Sequence, residues 1–176
     1  MTLLALLSVA VPAQADTPAP GTVFKDCAKG CPEMVVLPTG SFMMGSPDDE
    51  VGRQDDEGPV HQVTFSKPFA ISRFQITFGE WDAFIKATGY TMPSGDDRPG
   101  RLCQAGTPTQ GGRPTYGGNH QVTSKHPAVC MNLKEVQAYV AWLSKKTGKQ
   151  YRLTSESIRE YAARAGSTGP FPFPFD

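Results

Sequence analysis

The chain lacks an excess of charge of either sign. Its 176 residues hold 17 Lys and Arg against 17 Asp and Glu, for a formal net charge of zero. No basic field is present to hold nucleic acid, and no acidic tail keeps part of the chain solvated. Long hydrophobic runs are missing too, so no segment is expected to cross a membrane. Histidine and tryptophan are scarce, at 3 and 2 residues. Cysteine is limited to 4. What the chain does have is glycine (18) and proline (16), which predicts many loops and argues against a regular helical bundle. A 39% hydrophobic and 10% aromatic composition still suits a folded domain with a core.

The first fifteen residues, MTLLALLSVAVPAQA, pair a short apolar run with Ala13-Gln14-Ala15, a small-residue cleavage pattern. No Lys or Arg precedes the run. Residues 1–15 are expected to be an export signal, the alternative being a buried strand or helix. Residues 16–32 then form a Pro-rich linker with a cysteine pair. The protein is therefore expected to be exported, to a periplasm or to the outside. Exported cysteines tend to pair. Of three possible pairings, Cys27–Cys31 and Cys103–Cys130 are favoured: the first two lie close together, and the second two flank a Gly-rich stretch.

Met34 to Met44 reads as a β-hairpin, with apolar MVVL, turn residues Pro38-Thr39-Gly40 and a returning SFMM. His61 to Phe65 alternates as a half-buried strand, and Phe69 to Ile76 reads as another. Thr77 and Glu80 have capping-box spacing ahead of a helix whose Phe78, Trp81, Phe84 and Ile85 share one face, with Gly89 as its stop. Residues 90–125 hold eleven glycines and prolines and no periodicity, so they read as one long loop. Asn132 and Glu135 open a second helix with a Leu133, Val136, Tyr139, Val140, Leu143 stripe, closed by Gly148. Lys145, Lys146 and Lys149 suit the negative end of that helix dipole. A third helix is expected from Ser155 to about Ala165, ended by Gly166.

Two long blocks carry a family resemblance. GSFMMGS (Gly40 to Ser46) with DDEGPVHQVTFSKPFAISRFQITFGEWDAF (Asp55 to Phe84) is the first. HPAVCMNLKEVQAYVAWLSKKTGKQYRL (His126 to Leu153) with SESIREYAARAG (Ser155 to Gly166) is the second. Together they resemble the formylglycine-generating enzymes, also called sulfatase-modifying factor enzymes. The resemblance implies an irregular, loop-rich α+β fold related to C-type lectins, with residues 33–176 forming part of the domain. It implies an oxygen-dependent oxidation of a sulfatase cysteine to formylglycine as the family activity, with copper(I) held by two cysteines and a sulfatase as protein partner. Other family members have different tasks, some of them non-catalytic.

The family continues past the AARAG helix into G-N-V-W-E-W and R-G-G-S-W segments, where its copper cysteines and calcium ligands lie. The chain is accordingly expected to be a C-terminally truncated domain, inactive by itself, with no catalytic residue, cofactor or metal assigned to it. A non-catalytic secreted binding module, with the 90–125 loop as its recognition surface, is the competing reading. A frameshifted or prematurely ended copy without function is a third. In the second block, Arg159 stands where the family has a buried Trp and Ile158 where it has a capping Glu, so relaxed packing is expected around the third helix. Cys103, His120, His126 and Cys130 lack the short pair spacing that preorganises zinc. Asp48 to Glu57 brings six carboxylates without the spacing of a calcium loop. Glu57 and His61 are four residues apart, but His61 reads as a strand residue. Oligomeric state is not legible in the sequence.

Overall fold

The computed structural model describes residues 18–90, 123–129 and 131–169. Among the described residues, five strands and three helices follow one another. They are β1 (Val23–Phe24), β2 (Met34–Leu37), β3 (Gly40–Met44), β4 (His61–Phe65), β5 (Phe69–Ser72), α1 (Phe78–Thr88), α2 (Leu133–Thr147) and α3 (Glu156–Arg164). The result is a small α+β structure with two open sheets rather than one continuous sheet. This is the α+β class expected from the sequence.

The expected Met34–Met44 hairpin does not form. β2 sits in the middle of a three-stranded sheet of order β1-β2-β5, and β3 pairs with β4 in a separate two-stranded sheet. Val35 faces Val23 on one side and Ile71 on the other, both antiparallel. Both hydrogen-bonding edges of β2 are thus taken, and none is left for β3. The turn residues Pro38 and Thr39 carry the chain from one sheet to the other. Strand β1 lies inside what reads as linker, because two residues are too few to give a periodic signal.

β5 also ends early. Its expected span to Ile76 stops at Ser72, where the Arg73 amide donates to the Glu33 carbonyl at 2.7 Å and the chain bends. Ile76 then receives the Ala128 amide at its carbonyl, 2.7 Å away. Thr77 and Pro127 form an isolated bridge, and the Phe78 and Gly79 amides donate to the carbonyls of His126 and Ser124. Residues 124–128 therefore hold the entry to α1.

The helices follow their local signals. Thr77 and Asn132 each complete a capping box, with Glu80 and Glu135 respectively. Gly89 and Gly148 close α1 and α2 in the left-handed conformation, at φ 64° and 70°. α3 differs at both ends. Ser155 caps it without a reciprocal carboxylate, and Ala165 rather than Gly166 is its left-handed terminal residue, at φ 47°.

The core forms where α1 meets α2. Trp81, Phe84, Tyr139 and Leu143 are buried together with Cys31. Their rings meet at centroid separations of 5.0 Å for Trp81–Phe84 and 5.8 Å for the edge-on Phe84–Tyr139 pair. A second aromatic group of Phe42, Phe65, Phe69 and Tyr161 joins β3, β4 and β5 to α3, and all four rings are only half-buried.

The expectation about Arg159 is corrected. Ile158 takes the buried position on α3, at 6% exposure, while Arg159 points to solvent. The apolar residue and the charged one divide the helix surface as their solvation energies require, so no guanidinium is buried in place of an indole.

Candidate functional site

Two features stand out: a polar clasp at the N-terminal segment, and an open groove beside α3. The clasp is built on residues 24–31. Cys27 and Cys31 form a disulfide, with Cα atoms 5.5 Å apart. Cys31 is buried against Trp81 and Phe84, and Gly30 lets the chain pass close to α1. A Cβ on Gly30 would lie 2.7 Å from that of Ala83, and its φ of 77° favours glycine as well. Lys146 Nζ donates to the Lys29 carbonyl at 2.6 Å and stands over the Trp142 ring.

Asp26 completes the clasp. Its carboxylate accepts from Lys149 Nζ at 2.5 Å and from the Tyr151 hydroxyl. Burial by itself would raise the Asp26 pKa, but the hydrogen bonds from Lys149 and Tyr151 outweigh it and hold the group below its ordinary value. Burial and the hydrogen bond to Asp26 push Tyr151 up, and burial with the nearby Glu80 charge pushes Tyr139 up. Near neutral pH the clasp thus holds one carboxylate and two neutral phenols. None is poised to exchange a proton, and the arrangement fastens the segment instead. The Tyr139 hydroxyl is buried without a hydrogen-bond partner.

Lys146 and Lys149 do more than complement the dipole of α2. Both bind the 24–31 segment, over sequence separations of 117 and 123 residues. That distance is why no motif in the sequence reveals the contacts.

The groove lies between the β3–β4 ribbon and α3. It encloses about 810 Å³ and is lined largely by apolar atoms. Leu37, Phe42, Met43 and Val60 form one side, with Tyr161 and Ala162 on the other. Met43 is 52% exposed and Val60 39%. A polar network braces the groove's end. Glu160 accepts from the Gly45 amide at 2.9 Å and from Arg164 Nε at 2.8 Å, while Arg164 also donates to the carbonyls of Gly45 and Gly169. With its donors used in this way, Arg164 stiffens the wall rather than offering a charge.

The other sequence candidates do not converge. The 48–57 loop is held by Arg53, which donates to the Ser46 carbonyl at 3.1 Å and pairs with an exposed Asp48 at 3.3 Å. Glu57 uses its backbone to accept from the Ser46 amide, and His61 donates from Nδ1 to the Pro59 carbonyl. No Glu57–His61 acid–base pair therefore forms. His126 accepts from Thr123 at Nδ1, within the segment that holds α1. Cys103, His120 and Cys130, and with them the expected Cys103–Cys130 bridge, lie outside the described residues. So does most of the 90–125 loop. Among the described residues no cluster of three His, Cys, Asp or Glu is placed to hold a metal.

Copper(I) needs a pair of thiolates. The two described cysteines, Cys27 and Cys31, are joined to each other. They do not fit that ion, and no reaction step is assigned through it.

Three comparisons with known proteins bear on this geometry. The family model described as sulfatase-modifying factor enzyme 1-like domain matches residues 19–173. A formylglycine-generating enzyme of Thermomonospora curvata is 31% identical over 81% of the chain and 51% of its own length. An inactive C-alpha-formylglycine-generating enzyme 2 of Bos taurus is also 31% identical, over 77% of the chain and 50% of its own length. The chain spans about half the length of these curated relatives. The solved structure of PvdO from Pseudomonas aeruginosa is 64% identical and superposes with a TM-score of 0.78, over 91% of this chain and 57% of that one.

Proposed function

The chain belongs to the sulfatase-modifying factor enzyme 1-like family, and on that premise we propose that it supplies the opening part of a formylglycine-generating-enzyme-like fold without carrying the family's oxidation itself. The observation that carries this reading is the Cys27–Cys31 disulfide. It withdraws the two described cysteines from the thiolate role that copper(I) demands. Cysteine-to-formylglycine chemistry on a sulfatase would then need groups other than Cys27 and Cys31. The few helices and open sheets agree with a formylglycine-generating-enzyme-like fold.

Export is part of the same proposal. A disulfide persists where thiols are oxidised, as in a periplasm or outside the cell, and the apolar Leu3–Val11 run with Ala13-Gln14-Ala15 is the corresponding leader. Zero net charge supports a protein partner over nucleic acid. The test is direct. The purified protein is incubated with a sulfatase-derived cysteine peptide, copper(I) and oxygen, beside the Thermomonospora enzyme, and the peptide is weighed by mass spectrometry. The expected result is formylglycine from the comparison enzyme alone. Conversion by this chain would overturn the proposal.

A second reading, a non-catalytic binding module, is favoured by one observation. A relative named as inactive matches at the same 31% identity as one named formylglycine-generating enzyme. The family scaffold is therefore compatible with both.

A further inference from the structure

A second recess, of about 400 Å³, lies between the β1-β2-β5 sheet and α2. Its walls are mostly apolar, with Met34 and Ile71 from the sheet and Val136 and Leu143 from α2. Phe24, Asp26 and Pro32 of the N-terminal segment line it as well. The polar clasp is thus also part of a cavity wall.

The ties that hold this segment in place are unequal. Cys31 is anchored, at 3% exposure, against Trp81 and Phe84. The residues before it rest on weaker contacts. β1 has only two residues, too few to stand by itself. The Lys149–Asp26 pair has one partner that is 60% exposed, so solvent screens it. The covalent tie to the anchored residue is the Cys27–Cys31 bridge. Its two sulfurs differ in access: Cys27 is half-buried, whereas Cys31 is sealed in the core. Exposed Lys25 and Lys29 flank Cys27, and their charge favours an approaching thiolate.

We propose that residues 24–32 are a redox-controlled strap over this recess, closed by the Cys27–Cys31 disulfide and opened when an external dithiol reduces it. A thiolate of the dithiol attacks Cys27 Sγ and the S–S bond breaks. Cys31 leaves as a thiolate and takes a proton from water, since its apolar surroundings favour the neutral thiol. The second thiolate of the donor then attacks the mixed disulfide. Cys27 leaves and is protonated in turn, and the donor departs as a disulfide. Two electrons and two protons have passed to the protein. Asp26 is then held only by Lys149 and Tyr151. Opening leaves the Lys149 ammonium without its carboxylate beside an apolar cavity, a combination that suits a small amphipathic anion. The inference stands apart from the proposed function and needs no oxidation of a sulfatase cysteine.

The test compares the 176-residue protein before and after dithiothreitol, by amide hydrogen exchange and by binding of anilinonaphthalene sulfonate, an anionic apolar dye. After reduction, amides of residues 21–31 should exchange about tenfold faster or more, while β3 and β4 keep their protection. Dye affinity should rise by a similar factor, and glutathione disulfide should reverse both changes. Brief alkylation of the reduced protein should mark Cys27 before Cys31, as read by mass spectrometry. The reductant also reaches Cys103 and Cys130, so a second arm uses Cys27→Ser with Cys31→Ala. That variant keeps the buried site apolar and should show the fast exchange and dye binding with no reductant added. Unchanged exchange at residues 21–31 would overturn the inference. So would dye affinity that ignores reduction, or a bridge that yields to dithiothreitol only as β3 and β4 lose protection too.

Discussion

Asp26 shows what one side chain contributes here. Its carboxylate is 6% exposed and receives Lys149 and Tyr151, residues far away in sequence. Because its folded pKa lies below the ordinary 3.8, its stabilisation is complete above that value and is lost as pH falls through the lowered folded pKa. Asp26→Asn is expected to cost about 1–2 kcal/mol at neutral pH, reduced from a fully buried pair because Lys149 is exposed. The gap between the two proteins' melting temperatures should narrow below about pH 3.8. A gap of constant size from pH 7 to pH 3 would show that the carboxylate's charge is not what matters. Tyr139 is the opposite case. Its hydroxyl is buried and unpaired, so Tyr139→Phe should leave stability unchanged or raise it by up to about 1 kcal/mol. A fall of several degrees in the melting temperature would mean that the hydroxyl has a partner such as a trapped water.

At the scale of elements, the three helices test how capping and burial divide the work. α1 and α2 have reciprocal boxes, whereas α3 has only the Ser155 hydroxyl accepting from the Ile158 amide. Asn132→Ala is expected to cost about 1 kcal/mol by denaturant unfolding. Ile158→Glu restores a box sequence to α3, yet it places a carboxylate at a site only 6% exposed. Burial should win, with a net loss of about 2 kcal/mol or more. A stabilised variant would show that the capping bond outweighs desolvation. The helices themselves were legible because caps, 3.6-residue stripes and glycine stops act within a turn or two of chain. The strands were legible as strands, but their partners were not. MVVL and SFMM look like a hairpin until β1 and β5 are known to occupy both edges of β2.

The whole molecule is held by ties over long sequence separations. The Cys27–Cys31 bridge closes a loop with a sequence separation of 4, and the clasp around it fastens the N-terminal segment to the end of α2. For so short a loop the chain-entropy estimate is about 2 kcal/mol. Reduction, or Cys27→Ser with Cys31→Ser, should lower the melting temperature by several degrees. β1 should then exchange its amide hydrogens faster than β3 and β4, which belong to the other sheet. Uniform acceleration across both sheets would count against a local clasp.

The residues alone determined the α+β class, the three helices with their caps, the closeness of Cys27 to Cys31, and the family through its two long blocks. These depend on neighbours within a few positions, or on patterns long enough to be read without coordinates. Only the tertiary structure decided that β2 and β3 separate into two sheets, that Ile158 rather than Arg159 faces inward, that Asp26 meets Lys149 and Tyr151, and that an apolar groove opens beside α3. Each of these is a contact between distant stretches of chain. The energy of such a contact comes from burial, charge pairing and the filling of edges, and those quantities exist only once the elements have packed.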